Sequence, residues 1–203
     1  MTEMTDFASA LQRFRKLADQ GDARGQSDLA TLYQNGLGVP QNYAEALRLY
    51  RLAADQGDAF AQSNLGAMYA SGQGVSQNYA EAANWYHHAA DQGFAIAQHN
   101  LGFMYANGQG VQQNYIEALR WYRLAADQGD ANGQAKLGFL YGNGLGVPQD
   151  YILAHMWFNL SAAQGDQSAA RNRDIVAQQM TPAQIAEAQK LAREWKPTMQ
   201  PSR

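Results

Sequence analysis

The chain of 203 residues contains no cysteine, which excludes disulfides, thiolate metal sites and thiol nucleophiles, and fits a reducing compartment. Charge is scarce as well. Charged residues make up 16%, and 15 Lys+Arg against 18 Asp+Glu leave a net charge of −3, so no polybasic surface for nucleic acid or anionic lipid is indicated. Long apolar runs are missing: Met1 to Phe14 carries Glu3, Asp6 and Arg13, and neither a signal peptide nor a membrane span is visible. The expectation is a soluble cytoplasmic protein with no membrane insertion, or an exported one if a leader has been removed. Alternating apolar positions of the kind that mark β-strands are absent too. With hydrophobic residues at 46%, the chain has ample material for a buried core.

What is present is a repeat. Gly-x-Gly-Val begins at Gly36, Gly72, Gly108 and Gly144, each 36 residues after the last. Leu29, Leu65, Leu101 and Leu137 keep the same register, as do Tyr33, Tyr69, Tyr105 and Tyr141, the set beginning at Tyr43, and Gly57, Gly93, Gly129 and Gly165. Four full units follow, 22–57, 58–93, 94–129 and 130–165. Each reads as two helices. Asp22, Asp58 and Asp130 cap the first, Phe94 breaks that pattern in the third unit, and the glycine after Asn35 and its equivalents stops the helix in a left-handed conformation. Asn42 with Glu45, Asn78 with Glu81, and Asn114 with Glu117 have the spacing of a capping box opening the second helix, and Asp150 with Leu153 keeps half of it.

A helix pair of this length cannot bury its apolar stripe alone, so neighbouring units must stack on one another. The expected core slots are Leu29, Tyr33, Ala46, Leu49, Tyr50, Ala53 and Ala54, with Trp85, Trp121 and Trp157 replacing Leu49 later. Gly66, Gly102 and Gly138 lie in mid-helix, where glycine costs about 1 kcal/mol against alanine, a cost that makes sense if another helix approaches closely. Residues 5–21 read as an N-terminal half-repeat, 166–195 as C-terminal capping helices and 196–203 as a tail, within one domain spanning 1–203. In the cap the template fails at its inner slots, with Arg173 at the Leu slot and Ala177 at the Tyr slot, and Thr181-Pro182 opens a final helix through about Trp195.

The recurring Ala-x-x-Gln-x-x-Leu-Gly-x-x-Tyr-like spacing, Gly-x-Gly-Val, Tyr-x-x-Ala, Trp-Tyr and Ala-Ala-x-x-Gly resemble the Sel-one-like repeat family, a relative of the tetratricopeptide repeats. The resemblance covers 22–165 fully. It implies an all-α right-handed superhelical α/α solenoid of stacked antiparallel helix pairs, here four full 36-residue repeats plus a terminal half-repeat and cap, with a concave face used for protein binding. Bacterial adaptor roles are common in that family.

At 100° per residue, Arg24, Asp28, Thr31 and Asn35 lie about 180° from the core slots of the first helix. Across units this outward side presents Arg24 and Asp28; Phe60, Asn64 and Ala67; Ile96, His99 at its border, Asn100 and Phe103; and Asn132, Lys136 and Phe139. Phe60, Ile96, Phe103 and Phe139 form an apolar strip with amides and a lysine beside it, the composition of a recognition groove for a peptide or helix of another protein. The same side chains also fit an inner wall sealed by packing, and both readings stay open.

Chemistry is harder to find. Gly-x-Gly follows a helix and has no Lys-Ser or Lys-Thr after it, so it is a poor phosphate loop. His87, His88, His99 and His155 form no metal-binding pattern. No nucleophile stands beside a base, and Arg48, Arg51, Arg120 and Arg123 read as solvated partners of nearby carboxylates. The expected function is a non-enzymatic scaffold or adaptor with no catalytic residue, metal or cofactor. The alternatives are a small-ligand or cell-wall-fragment binder or weak hydrolase using His99 with Asn64 and Asn100, and a self-assembling module.

Overall fold

The computed structural model describes residues 2–198, and Met1 and the last five positions of the expected tail lie outside the described residues. Among the described residues there are eleven α-helices and no strand, and they divide at Phe94/Ala95 into two compact units. The first unit holds α1 (Thr2–Asp19), α2 (Ala23–Asn35), α3 (Tyr43–Asp55), α4 (Ala59–Ser71) and α5 (Tyr79–Asp91). The second holds α6 (Ala95–Asn107), α7 (Tyr115–Asp127), α8 (Ala131–Asn143), α9 (Tyr151–Ala163), α10 (Gln167–Ala177) and α11 (Pro182–Glu194).

Local chemistry sets these boundaries. The carboxylates of Asp22, Asp58 and Asp130 accept from the amides of Gly25, Ala61 and Gly133 at 2.6–2.7 Å, each satisfying one orphan donor of a first helix. Asn42, Asn78 and Asn114 do the same for the second helices, but the reciprocal half of the expected capping box is missing. Glu45 holds Arg48 at 2.7 Å, and Glu81 accepts from the Trp85 indole at 3.0 Å, so both carboxylates turn along the helix instead of back to the cap. The only complete box among the described residues is Thr181 with Gln184, at the start of α11.

The Gly-x-Gly motif has two separate duties. Gly72 ends α4 at φ +74 and donates to the Met68 carbonyl. Gly74, at φ +71, lies so near the start of α3 that a Cβ there would stand 2.7 Å from the Tyr43 carbonyl oxygen. The first glycine thus stops a helix, and the second lets one repeat lie against the one before it.

In the first unit the core joins Leu29, Leu49, Tyr50, Leu65 and Met68 to the alanines of α2–α4, with Leu11, Phe14 and Ala18 of α1 packed against it. α1 thus packs against the first helix pair. In the second unit Tyr122, Leu137, Leu140, Trp157 and Phe158 form the core, with Trp195 beyond α11 meeting Trp157 edge-on at 6.1 Å. Trp121 and Trp157 are buried, whereas Trp85 and Tyr33 are only half-buried. The mid-helix glycines face rings: a Cβ on Gly102 would lie 2.8 Å from the Tyr122 ring, and one on Gly138 2.7 Å from Phe158. The close neighbour is thus the aromatic of the same helix pair.

Buried polar contacts repeat with the fold. Gln56 donates to Gln26 at 2.8 Å, and Gln92, Gln128 and Gln164 donate likewise to Gln62, Gln98 and Gln134, tying the end of each second helix to the start of its own first helix. Two arginines expected in solvent are stacked instead. Arg51 bonds the Tyr69 hydroxyl and lies 4.9 Å from the Trp85 ring centre, and Arg123 repeats this with Tyr141 and, at 5.0 Å, Trp157. Each packs a flat cation against the aromatics of the next repeat in its unit.

Candidate functional site

The outward side of the first helices carries the candidate residues. In the first unit Arg24 is exposed, and Asp28 is half-buried, where burial raises its carboxyl above the usual range against the pull of Arg24 and Arg13. Phe60 is 40% exposed, with its ring edge-on to Tyr50 and Phe94 at 6.4 Å. Asn64 turns its amide onto the Phe60 carbonyl at 2.9 Å, so that donor serves its own helix. Thr31, expected to face outward, bonds the Tyr50 hydroxyl at 2.9 Å and belongs partly to the helix-pair contact.

In the second unit Ile96, Phe103 and Phe139 are 55%, 40% and 47% exposed. Lys136 lies over Phe103, 5.9 Å from the ring centre, and makes no ion pair among the described residues. His99 packs its ring 5.8 Å from that of Tyr122. Burial lowers its pKa, the Asp130 charge opposes this and Lys136 adds to it, so the imidazole is neutral at pH 7. Asn132 is exposed and Asn100 half-buried. Asn107 and Asn143 bond the carbonyls of Phe103 and Phe139 in their own helices, in keeping with the reading of these residues as helix ends.

Three clefts open on this side of the second unit. One of about 290 Å³ is lined by Phe103, Asn107, Tyr122, Lys136 and Phe139; one of about 440 Å³ by Phe139, Tyr151, Phe158, Asn172, Ile175 and Val176; and one of about 170 Å³ by Asn132, Lys136, Phe139, Asp166 and Asn172. Phe139 borders all three. The third helix of the row, α10, lies within the expected capping helices, and its place on this face was hidden because its inner slots break the template. Its outer slots do not: Ile175 stands 36 residues after Phe139, and Asn172 36 after Lys136. Ile175 is 59% exposed, which extends the apolar strip beyond its expected end.

No group of His, Asp and Glu suited to a metal ion occurs among the described residues, and no helix there is long and apolar enough to cross a membrane. His87 is paired with Asp91 at 2.9 Å on an exposed face. His155 is 3% exposed with Nδ1 unpartnered, and burial and Arg173 lower its pKa.

The Sel1 repeat profile matches residues 23–58, 59–94, 95–130 and 131–166. The chain belongs to the Sel1-repeat family. Among solved structures it is similar to a protective antigen present in uropathogenic Escherichia coli strains displaying an SLR fold, with 38% identity and a TM-score of 0.86 over 91% of this chain and 40% of the other. The chain thus spans well under half the length of that antigen. A Sel1 repeat protein from Oxalobacter formigenes matches at 30% identity and a TM-score of 0.78, over 94% of this chain and 80% of that one. An immunity protein from Pseudomonas aeruginosa, at 24% identity and a TM-score of 0.57 over 93% of this chain and 74% of its own, shares the fold alone. No curated protein matches. Sel1-repeat proteins are generally scaffolds for protein interaction, and the family fold is typically non-enzymatic.

Proposed function

We propose that this Sel1-repeat chain is a non-enzymatic adaptor that holds a segment of another protein on the outward side of its first helices, with Phe139 as the central anchor. One observation carries the reading: a phenylalanine half open to solvent forms the common wall of three adjoining clefts, and Phe103 and Ile175 flank it at the same template slot. Apolar side chains held open in register, within a rim of Asn132, Lys136 and Asn172, have the make-up of a recognition surface and leave the core already filled without them. Ile96 and Phe103 extend the same side along α6, and Arg24, Asp28, Phe60 and Asn64 are its counterparts in the first unit.

The test is retention of a partner from lysate of the source organism by the wild type beside Phe103→Asp/Phe139→Asp. Both rings stand outside the buried core cluster, and a far-ultraviolet circular dichroism spectrum equal to that of the wild type is the check that the variant is folded. A charge at a central anchor typically removes at least about 2 kcal/mol of binding, roughly a thirtyfold loss, and the partner should disappear from the variant. A partner held equally by both proteins removes this face from consideration.

A further inference from the structure

The two larger clefts are the same cleft one repeat apart. Phe103, Asn107, Tyr115, Tyr122, Lys136 and Phe139 of the first correspond, 36 residues on, to Phe139, Asn143, Tyr151, Phe158, Asn172 and Ile175 of the second. Their chemistry differs at two slots. Where the first has the Tyr122 hydroxyl and the Lys136 ammonium, the second has a phenyl ring and a neutral amide, and Ala106→Gly142 and Leu140→Val176 between the repeats also widen it, from about 290 to about 440 Å³.

Asn107 and Tyr115 of the first cleft are already bonded, to the Phe103 carbonyl and to Gln113, but the two groups that set it apart, the Tyr122 hydroxyl and the Lys136 ammonium, are not. Tyr50, the counterpart of Tyr122 in the first repeat, bonds its hydroxyl to Thr31 and Gln34. In the third repeat those two slots are Phe103 and Ala106, and the Tyr122 hydroxyl makes no hydrogen bond among the described residues, although the residue is 1% exposed. Burial raises its pKa, so it remains a neutral donor. Lys136 is likewise without a carboxylate, and Asp166, which shares the smallest cleft with it, accepts from the Ser168 and Ala169 amides as the cap of α10. A cation and an unbonded hydroxyl that line one cleft beside an apolar wall call for an anion with an apolar neighbour.

Resting on the adaptor reading above, we propose that these clefts select an extended acidic segment of a partner protein: a Glu or Asp carboxylate accepts from Lys136 Nζ and the Tyr122 hydroxyl, and a bulky apolar side chain enters the wider cleft between Phe139 and Ile175. The two clefts lie on either side of α8, and an extended chain advances about 3.3 Å per residue, so side chains a few residues apart in the bound segment reach one cleft each. Phe139 is the partition between them.

The experiment is selection of random dodecapeptides displayed on phage against the full chain, followed by binding of the synthesised consensus peptide to the wild type, Lys136→Met, Lys136→Arg, Tyr122→Phe and Phe139→Asp. The consensus should pair Asp or Glu with Leu, Ile, Phe or Met two to four positions away. Lys136→Met should weaken the peptide about tenfold or more, Tyr122→Phe about threefold, and Lys136→Arg little. Replacing the peptide's acid by its amide should weaken binding to the wild type about as much as Lys136→Met does, and should change little for Lys136→Met. A consensus without an acid, or equal affinity for the acid and amide peptides, overturns the pairing while the face stands if Phe139→Asp still abolishes binding. Peptides bound as well by Phe139→Asp, or no consensus on the wild type, overturn the face and the pairing together.

Discussion

At the scale of single residues, the buried glutamines show how polar groups specify this fold. Gln134 is fully buried, accepts from Gln164 at 2.9 Å and donates to the Ala126 carbonyl at 3.4 Å, so one side chain joins α8 to α9 and to the end of α7. Gln134→Leu keeps the bulk but removes two hydrogen bonds from a fully buried site, while Gln164 keeps the Gly129 carbonyl and the Ala126 carbonyl keeps the Gly129 amide, so it should cost about 1 kcal/mol in urea unfolding, with Gln164→Leu adding less than its own single effect in the double variant. Additive losses would contradict the coupling. The histidines set a pH dependence. His99 and His155 have pKa values lowered below the ordinary 6.5, both chiefly by burial, so the unfolded chain binds more protons there and stability falls as pH drops through about 6.5. Asp166 works in another window: backbone and hydroxyl donors hold its carboxyl below 3.8, and its contribution is lost only at more acid pH. The melting temperature should therefore decline between pH 7.5 and 5.5, and less steeply in His155→Gln. An unchanged melting temperature over that range would contradict the assignment.

At the scale of the helix, the period made most of the fold legible. Leu, Tyr and Gly slots recurring every 36 residues give the helix pairs, their caps and their stops, because each slot must meet the same neighbour in every repeat. What was hidden depended on where long side chains turn. Glu45 and Glu81 have capping-box spacing yet bond Arg48 and Trp85, and Arg51 and Arg123 have surface spacing yet stack on Trp85 and Trp157. Spacing fixes where a Cβ stands, not which of several partners a flexible chain reaches. A third buried slot, Leu32, Met68, Met104 and Leu140, is apolar in every repeat and was legible, but lay between the slots taken as core. The stacked arginine carries a prediction of its own: Arg123→Leu removes a hydrogen bond and two ring contacts, and should lower the stability of the second unit by about 1–2 kcal/mol, whereas Lys190→Leu, at an exposed cation of α11 beside Glu194, should change it by less than about 0.5 kcal/mol. Equal effects at the two positions would mean that the stacking does not stabilise the unit.

At the scale of the molecule, the sequence showed the outward slots but not their depth. Phe60, Ile96, Phe103 and Phe139 were legible as a strip because these slots vary while core slots repeat, and all four are exposed. The clefts were not legible, since they arise from pairs of residues 36 apart on neighbouring helices, and Ile175 and Asn172 fell where the core template had already failed. The account's central claim is that this outward side, and not the outer face of the second helices, meets the partner. Photo-crosslinking tests it most directly: benzoylphenylalanine is placed at position 139 in one protein and at the exposed Arg120 position in another, each is expressed in the source organism, and the cells are irradiated. The account predicts a discrete crosslinked product from position 139 and none from position 120. The same product from position 120, with none from 139, would contradict it.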